Sequence, residues 1–332
     1  MFSMSGPRND RMNEKIIYSK NCNLCGSQRL ITFCQRSFST GERSNWQCES
    51  TMKLLDLDKI DASYKYCRVC GHFYRDPVFE DRHLYTDEAA LVRKQIYANY
   101  FPHSYEGAAV GHVQNEISGG LKSSAALLKK QSRIAERIAS KISSQRSDAV
   151  LKVLDYGSGS GYFLDVFSAL FNKALNFSNV EFISYDLGID EKDPSTRAPF
   201  NLIFCNHMLE HVANPLVVVK HLYSLLADNG ILYVEVPEEL TALRKQGGLA
   251  PHINIFTRNS LRWMLNEAGF SSVRDFRDAD STYRGNSIVA YGAIALKKRS
   301  SGQRKPVFLS EAGILIDLAK SYIGALMKRV RS

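Results

Sequence analysis

Val150-Leu-Lys-Val-Leu-Asp155-Tyr-Gly157-Ser-Gly159-Ser-Gly161-Tyr-Phe-Leu164 is the stretch around which the rest of the chain is read. Val150, Leu151, Val153 and Leu154 make a short apolar run interrupted by Lys152, and three glycines then alternate with serines before apolar residues return. The pattern predicts a buried strand that enters a glycine-rich turn and opens a helix. Residues without Cβ let such a turn take positive φ and approach a ligand closely, while the helix behind it offers unpaired N–H groups to polar or anionic groups.

Spacing separates two kinds of nucleotide site. Dinucleotide enzymes use Gly-x-Gly-x-x-Gly; here the glycines follow Gly-x-Gly-x-Gly, and Asp155 stands two residues before the first. This resembles the first motif of the class I S-adenosylmethionine-dependent methyltransferases. The resemblance implies an α/β fold with a Rossmann-like sheet and S-adenosylmethionine as cofactor. It places Asp155 near the methionine part, with Gly157, Gly159 and Gly161 passing beneath.

Downstream, Val180 to Tyr185 reads as the next strand and ends at Asp186, where an acidic side chain can accept both ribose hydroxyls. Asp186 follows Asp155 by a longer interval than the family pattern has, and Phe200 comes soon after, so one strand–helix unit is shortened. Asp186 therefore faces either the ribose or the adenine. Phe200 to Asn206 is a further buried strand that runs into His207-Met-Leu-Glu210-His211-Val-Ala-Asn-Pro215, similar to the family's fourth strand and its Glu-His-Val segment. Asn206 and His207 fall at the C-terminal strand edge, where open α/β sheets bind ligands; Asn206 would equally cap the next helix. Glu210 and His211 either take part directly or orient one another.

A helix over Leu216 to Leu226 is expected to stop at Asp228-Asn-Gly230. The strand Ile231 to Val236 places Glu235 near the pocket, and residues 238 to 256 read as a loop. Within that loop His252-Ile-Asn-Ile-Phe256 resembles the Glu-His-x-x-Tyr-Phe segment of sugar C-methyltransferases, with Pro251 in place of glutamate and Ile255 in place of tyrosine. His252 is the leading general-base candidate, because an imidazole titrates near neutral pH. His207, His211 and Glu235 complete the catalytic candidates. A helix over Ser260 to Ala268 and strands over Ser272 to Phe276 and Ser287 to Leu296, with Arg284 and Asn286 in the turn, finish the domain.

Ahead of it, Cys22-Asn-Leu-Cys25-Gly26 and Cys67-Arg-Val-Cys70-Gly71 are two copies of one pattern. Each presents two sulfurs from a tight turn, and together they make a four-thiolate zinc site of the closed, structural kind, Cys34 or Cys48 being possible substitutes for one ligand. His72 reads as a surface or packing residue. The pattern resembles the zinc-binding domain that precedes the methyltransferase domain in some deoxysugar methyltransferases.

The domain order expected is a tail over 1–18, a zinc domain over 19–83, a helical linker or lid over 84–145, the cofactor domain over 146–298 and a basic amphipathic helix over 299–332. Within the linker a helix runs from Ser123 to Ser144, and another follows the glycine turn from Tyr162 to Leu175. The start is polar and no apolar run reaches a membrane span, which places the protein in the cytoplasm; the last helix offers at most a weak contact with a membrane surface.

Net charge is +9, but residues 131 to 300 hold 19 Lys/Arg against 18 Asp/Glu. A near-neutral cofactor half argues against nucleic acid and for a small-molecule, sugar or nucleotide-sugar acceptor, methylated at oxygen. Methylation of a macromolecule (RNA or protein) and a non-catalytic cofactor-binding scaffold are the alternatives.

Overall fold

A computed structural model describes residues 16–17, 19–39, 59–76, 78–79, 121–142, 150–158, 179–186, 193–239, 252–283 and 286–297, with residues 164, 167, 168 and 170–172 of a helical stretch. Residues 1–15 of the tail, the lid tract 84–118, Gly159, Gly161, Cys48, Arg284, most of the 238–256 loop and the C-terminal helix lie outside the described residues, while Ile16 and Ile17, expected in the tail, form a short strand.

The strand expected at 150–154 is β6 (Leu151–Tyr156). It pairs in parallel with β7 (Val180–Tyr185) on one side and β8 (Phe200–Asn206) on the other. β9 (Leu226–Pro237) runs parallel to β8, and β12 (Asn286–Leu296) and β11 (Ser272–Tyr283) close the edge antiparallel. The order is β11-β12-β9-β8-β6-β7. Among the described residues between β7 and β8 there is a 3-10 turn, Pro194–Arg197.

Alternation along the strands sends side chains to two faces. Leu202 and Phe204 of β8, with Ile231 and Tyr233 of β9, pack against Ile134, Ile138 and Ile142 of α1 (Leu121–Ile142) and against Phe167 and Phe171. Ile203, Cys205, Leu232 and Val234 face the other way, onto α2 (Pro215–Leu225) and α3 (Arg258–Glu267). α3 begins where Thr257 and Ser260 exchange side-chain bonds with each other's backbone N–H, a capping box built with Ser in place of Glu.

The helix at Pro215 ends at Leu225, three residues before the expected stop. Leu226 already pairs with Phe200, so the next strand begins there, and Asn229 takes the left-handed φ of 63° inside it.

The N-terminal module is a sheet of β2 (Leu30–Ser39), β3 (Lys59–Cys67) and β4 (Phe73–Asp76), beside which β1 (Ile16–Ile17) pairs with β5 (Val78–Phe79). Its fourth member is β10 (Asn254–Ile255), which pairs antiparallel with β4. The tract read as loop from the sequence thus supplies an edge strand to a sheet about 180 residues earlier in the chain. Cys22, Leu24, Cys67, Cys70 and Tyr74 belong to the same buried cluster as Leu154, Val234 and Leu261, so the module shares its core with one face of the large sheet. No helix among the described residues is long and apolar enough to cross a membrane.

Candidate functional site

At the C-terminal edge of β6 the chain turns at Gly157, with φ +80° and N–H groups of Gly157 and Ser158 donating to Tyr185 O at 2.8 and 3.1 Å. A Cβ at Gly157 would lie 2.6 Å from Met208 Cγ and 2.9 Å from Met208 Cβ. Only glycine satisfies both the dihedral and the approach.

Asp155, two residues back, is 2% exposed, and its Oδ2 is buried with no hydrogen-bond partner. Burial first, and the charge of Asp186 second, push its carboxyl up to about 7. Asp186 stands just past the end of β7, the strand next to β6. Asn206, on the neighbouring strand β8, has both side-chain amide atoms buried without partners. It does not cap α2, whose N-cap is Asn214. Buried polar atoms without partners are rare and point to a missing ligand or water.

Past Asn206 the chain makes a second strained turn. His207 has φ +50°, and its N–H donates to Glu235 O at 2.8 Å. Its Nε2 lies 3.0 Å from Glu235 Oε1 and its Nδ1 3.3 Å from Glu210 Oε1, with 42% of the side chain still exposed. Burial of the ring would lower its pKa, but the two carboxylates outweigh that and raise it to about 10. His207 is therefore an imidazolium at neutral pH. Glu235 also accepts from Tyr233 Oη at 2.9 Å.

Glu210 precedes α2 in a turn and is 1% exposed. Burial favours its neutral form, but His207 and His211 hold its pKa below the ordinary value. His211 Nε2 is 3.9 Å from Glu210 Oε1, and the rings of His211 and His252 meet edge to face at 4.7 Å. His252 Nδ1 lies 2.6 Å from Glu239 Oε1. Its burial would lower the imidazole pKa, yet the Glu239 partner raises it.

Two backbone bonds hold this arrangement: Ile253 and Asn254 N–H both donate to Glu210 O, at 2.7 and 2.9 Å. His207, Glu210, His211, Glu235 and His252 form one group at the strand edge, with Asp155, Gly157 and Asn206 on the adjoining strands. Glu239 and Met208 were not foreseen. Neither has a local signature; Glu239 simply follows a strand, and Met208 matters through its contact with Gly157.

The four cysteines come together behind β10. Cys22 and Cys70 sulfurs are 3.7 Å apart, Cys25 and Cys67 sulfurs 3.5 Å, and all four lie within 4.8 Å of one another. Tetrahedral zinc with bonds of about 2.3 Å needs sulfurs about 3.8 Å apart, so the set fits such an ion. The two knuckles repeat one scheme. Gly26 and Gly71 take φ of +74° and +70°, and their N–H groups donate to Cys22 O and Cys67 O. Cys34 lies in β2 opposite Tyr64. His72, read as a surface or packing residue, is fully buried against Tyr74 and Phe256, and burial lowers its pKa to about 4.

The module and the site meet at Asn254. Its Oδ1 accepts from Asn23 Nδ2 at 2.7 Å and lies 3.1 Å from His72 Nε2, while its Nδ2 donates to Leu209 O and Val212 O.

Comparison with known proteins adds the following. No curated protein matches the chain. Among solved structures, it is similar to the CurJ carbon methyltransferase at 15% identity, covering 62% of this chain and 70% of that one with a TM-score of 0.36. An O-methyltransferase family protein from Burkholderia thailandensis is similar at 10% identity, 66% and 64% coverage and a TM-score of 0.36. A SAM-dependent methyltransferase from Methanosarcina mazei is similar at 18% identity, 45% and 93% coverage and a TM-score of 0.33. Overlaps at these scores carry no argument about this chain. In sequence, residues 123–274 match the family model of a methyltransferase domain. That span runs from α1 into β11 and holds the glycine turn, Asn206, the Glu210 group and His252.

Proposed function

We propose that this protein transfers a methyl group from S-adenosylmethionine to a hydroxyl oxygen of a small acceptor of the sugar or nucleotide-sugar kind. The observation that carries the reading is the pair of buried, unpartnered polar groups, Asp155 Oδ2 and the Asn206 amide, flanking the tight turn at Gly157. The methyltransferase-domain match over the same residues supports it. When bound, the cofactor supplies a methyl already activated by its sulfonium charge, so the protein's task is alignment and removal of one proton.

Asp155 receives the cationic methionine end, which would return its raised pKa towards the carboxylate range. Gly157 would let the backbone pass beneath the cofactor. Asp186 holds the ribose, a reading favoured by its place at the end of the strand adjoining β6. The acceptor's hydroxyl, losing its proton to the imidazole–carboxylate group around His252 and Glu239, would be the oxygen that takes the methyl. His207, held as a cation, orients Glu210 and Glu235 instead of acting as a base. Zinc in the Cys22, Cys25, Cys67 and Cys70 set has a structural role, since four thiolates leave no open position.

The nearly balanced charge of residues 131 to 300 favours a small acceptor over RNA. Calorimetric titration with S-adenosylmethionine and S-adenosylhomocysteine tests the cofactor. Binding of both, weakened in Asp155→Asn and lost in Gly157→Ala, is expected, followed by label transfer from methyl-labelled donor to sugar acceptors. A folded protein that binds neither overturns the proposal.

A further inference from the structure

Glu210 is a buried carboxylate set among imidazoles. Its side chain is 1% exposed, and neither carboxylate oxygen has a hydrogen bond. Leaving a buried carboxylate unsatisfied is costly. Imidazole nitrogens of His207 and His211 lie 3.3 and 3.9 Å from its Oε1.

One ligand atom each from Glu210, His211 and His252 lies within 4.8 Å of the others. The three side chains come from two segments locked together by the bonds from Ile253 and Asn254 N–H to Glu210 O. Glu239, 2.6 Å from His252 Nδ1, stands where metal-binding histidines commonly have a carboxylate that fixes ring orientation. Two imidazoles and one carboxylate suit a divalent transition metal and leave positions open, unlike a four-thiolate set.

We propose that Glu210, His211 and His252 form a second metal site, binding one divalent transition-metal ion with an open coordination position towards the acceptor. The metal site stands on this geometry alone; only its link to the acceptor rests on the methyl-transfer reading. With the ion bound, His252 serves as a ligand instead of a base, and a hydroxyl on the ion gives up its proton to solvent more readily, as zinc-bound water does.

The test uses the full chain with its cysteine site loaded with zinc, titrated with Co²⁺ and followed by visible absorption and by metal analysis after gel filtration. The expected result is one cobalt per chain, without thiolate charge-transfer bands. It should be lost in Glu210→Gln, His211→Ala and His252→Ala, and weakened about 10-fold or more in Glu239→Gln. His211 is partly exposed, so its variant remains informative if Glu210→Gln fails to fold. No cobalt uptake up to millimolar concentration, or equal uptake by His211→Ala and His252→Ala, overturns the proposal. Titration of the same samples with S-adenosylhomocysteine keeps the two readings apart: cobalt binding without cofactor binding upholds the metal site and removes methyl transfer.

Discussion

Asn23 of the cysteine module donates from Nδ2 to Oδ1 of Asn254 at 2.7 Å, across 231 positions of sequence. Asn254 spends its other bonds on Leu209 O, Val212 O and His72. One amide therefore ties together the first knuckle, the second knuckle and the turn that carries Glu210. Asn254→Ala leaves several buried groups unpaired and is expected to lower stability by roughly 3 kcal/mol, read from urea unfolding midpoints. It should also open the segment around His252 to limited proteolysis.

The glycine turn makes a steric prediction. Gly157→Ala must place a methyl 2.6 Å from Met208 Cγ in a left-handed backbone. About 1–3 kcal/mol of stability should be lost and cofactor binding abolished. The double variant Gly157→Ala with Met208→Ala removes the clash but not the dihedral strain, so partial recovery in thermal melting is expected.

On the proposed reading, Asp155 would link cofactor binding to pH. Its folded pKa of about 7 lies above the ordinary carboxylate value, so its contribution to stability is present at low pH and lost as pH rises through about 7. A cationic ligand reverses the preference by favouring the carboxylate. Affinity for S-adenosylmethionine should fall by up to about tenfold per unit as pH drops below 7. Asp155→Asn should bind weakly at every pH, yet unfold at higher temperature than wild type at pH near 8 without ligand.

His207 has the opposite sense. Glu210 and Glu235 raise its pKa to about 10 against the drop that burial would bring, so the stability it adds is complete below about pH 6.5 and lost as pH rises through about 10. The gap in melting temperature between wild type and His207→Gln should be widest near pH 6 and close above pH 10. NMR titration should find the ring protonated throughout the neutral range.

The cysteine set should govern the site at a distance. β10 hangs on β4, directly after the second knuckle, and Cys22, Cys67 and Cys70 share a core cluster with Leu154 and Phe256. Cys70→Ser, or stripping the metal with a chelator, is expected to lower the melting temperature and to weaken cofactor binding, measured by calorimetry. Unchanged binding in a metal-free sample would separate the module from the site.

Much of the large sheet is legible because its causes are local. The apolar run Leu151 to Leu154, the strand from Val180 to Tyr185 and the turn at Gly157 follow from period, burial and the need for positive φ, and they stand where the pattern puts them. The two Cys-x-x-Cys-Gly knuckles are likewise legible, since each is complete within a few residues. Boundaries set by partners are not. The stop expected at Asp228 to Gly230 has suitable residues, but Leu226 leaves the helix because Phe200 offers it a ladder position.

By itself the sequence determined the parts whose physics is short-range: a strand, a glycine turn with an acid before it, paired knuckles, and apolar stripes on α1 and α3. Tertiary structure alone decided that His252 and Asn254 leave a loop to extend the cysteine module's sheet, that Glu239 stands against His252, and that Glu210 is buried between imidazoles. The reason is physical. A backbone edge or a buried carboxylate is satisfied by whichever group the fold brings to it, and Tyr74 and Asn254, 180 positions apart, carry no local trace of their meeting.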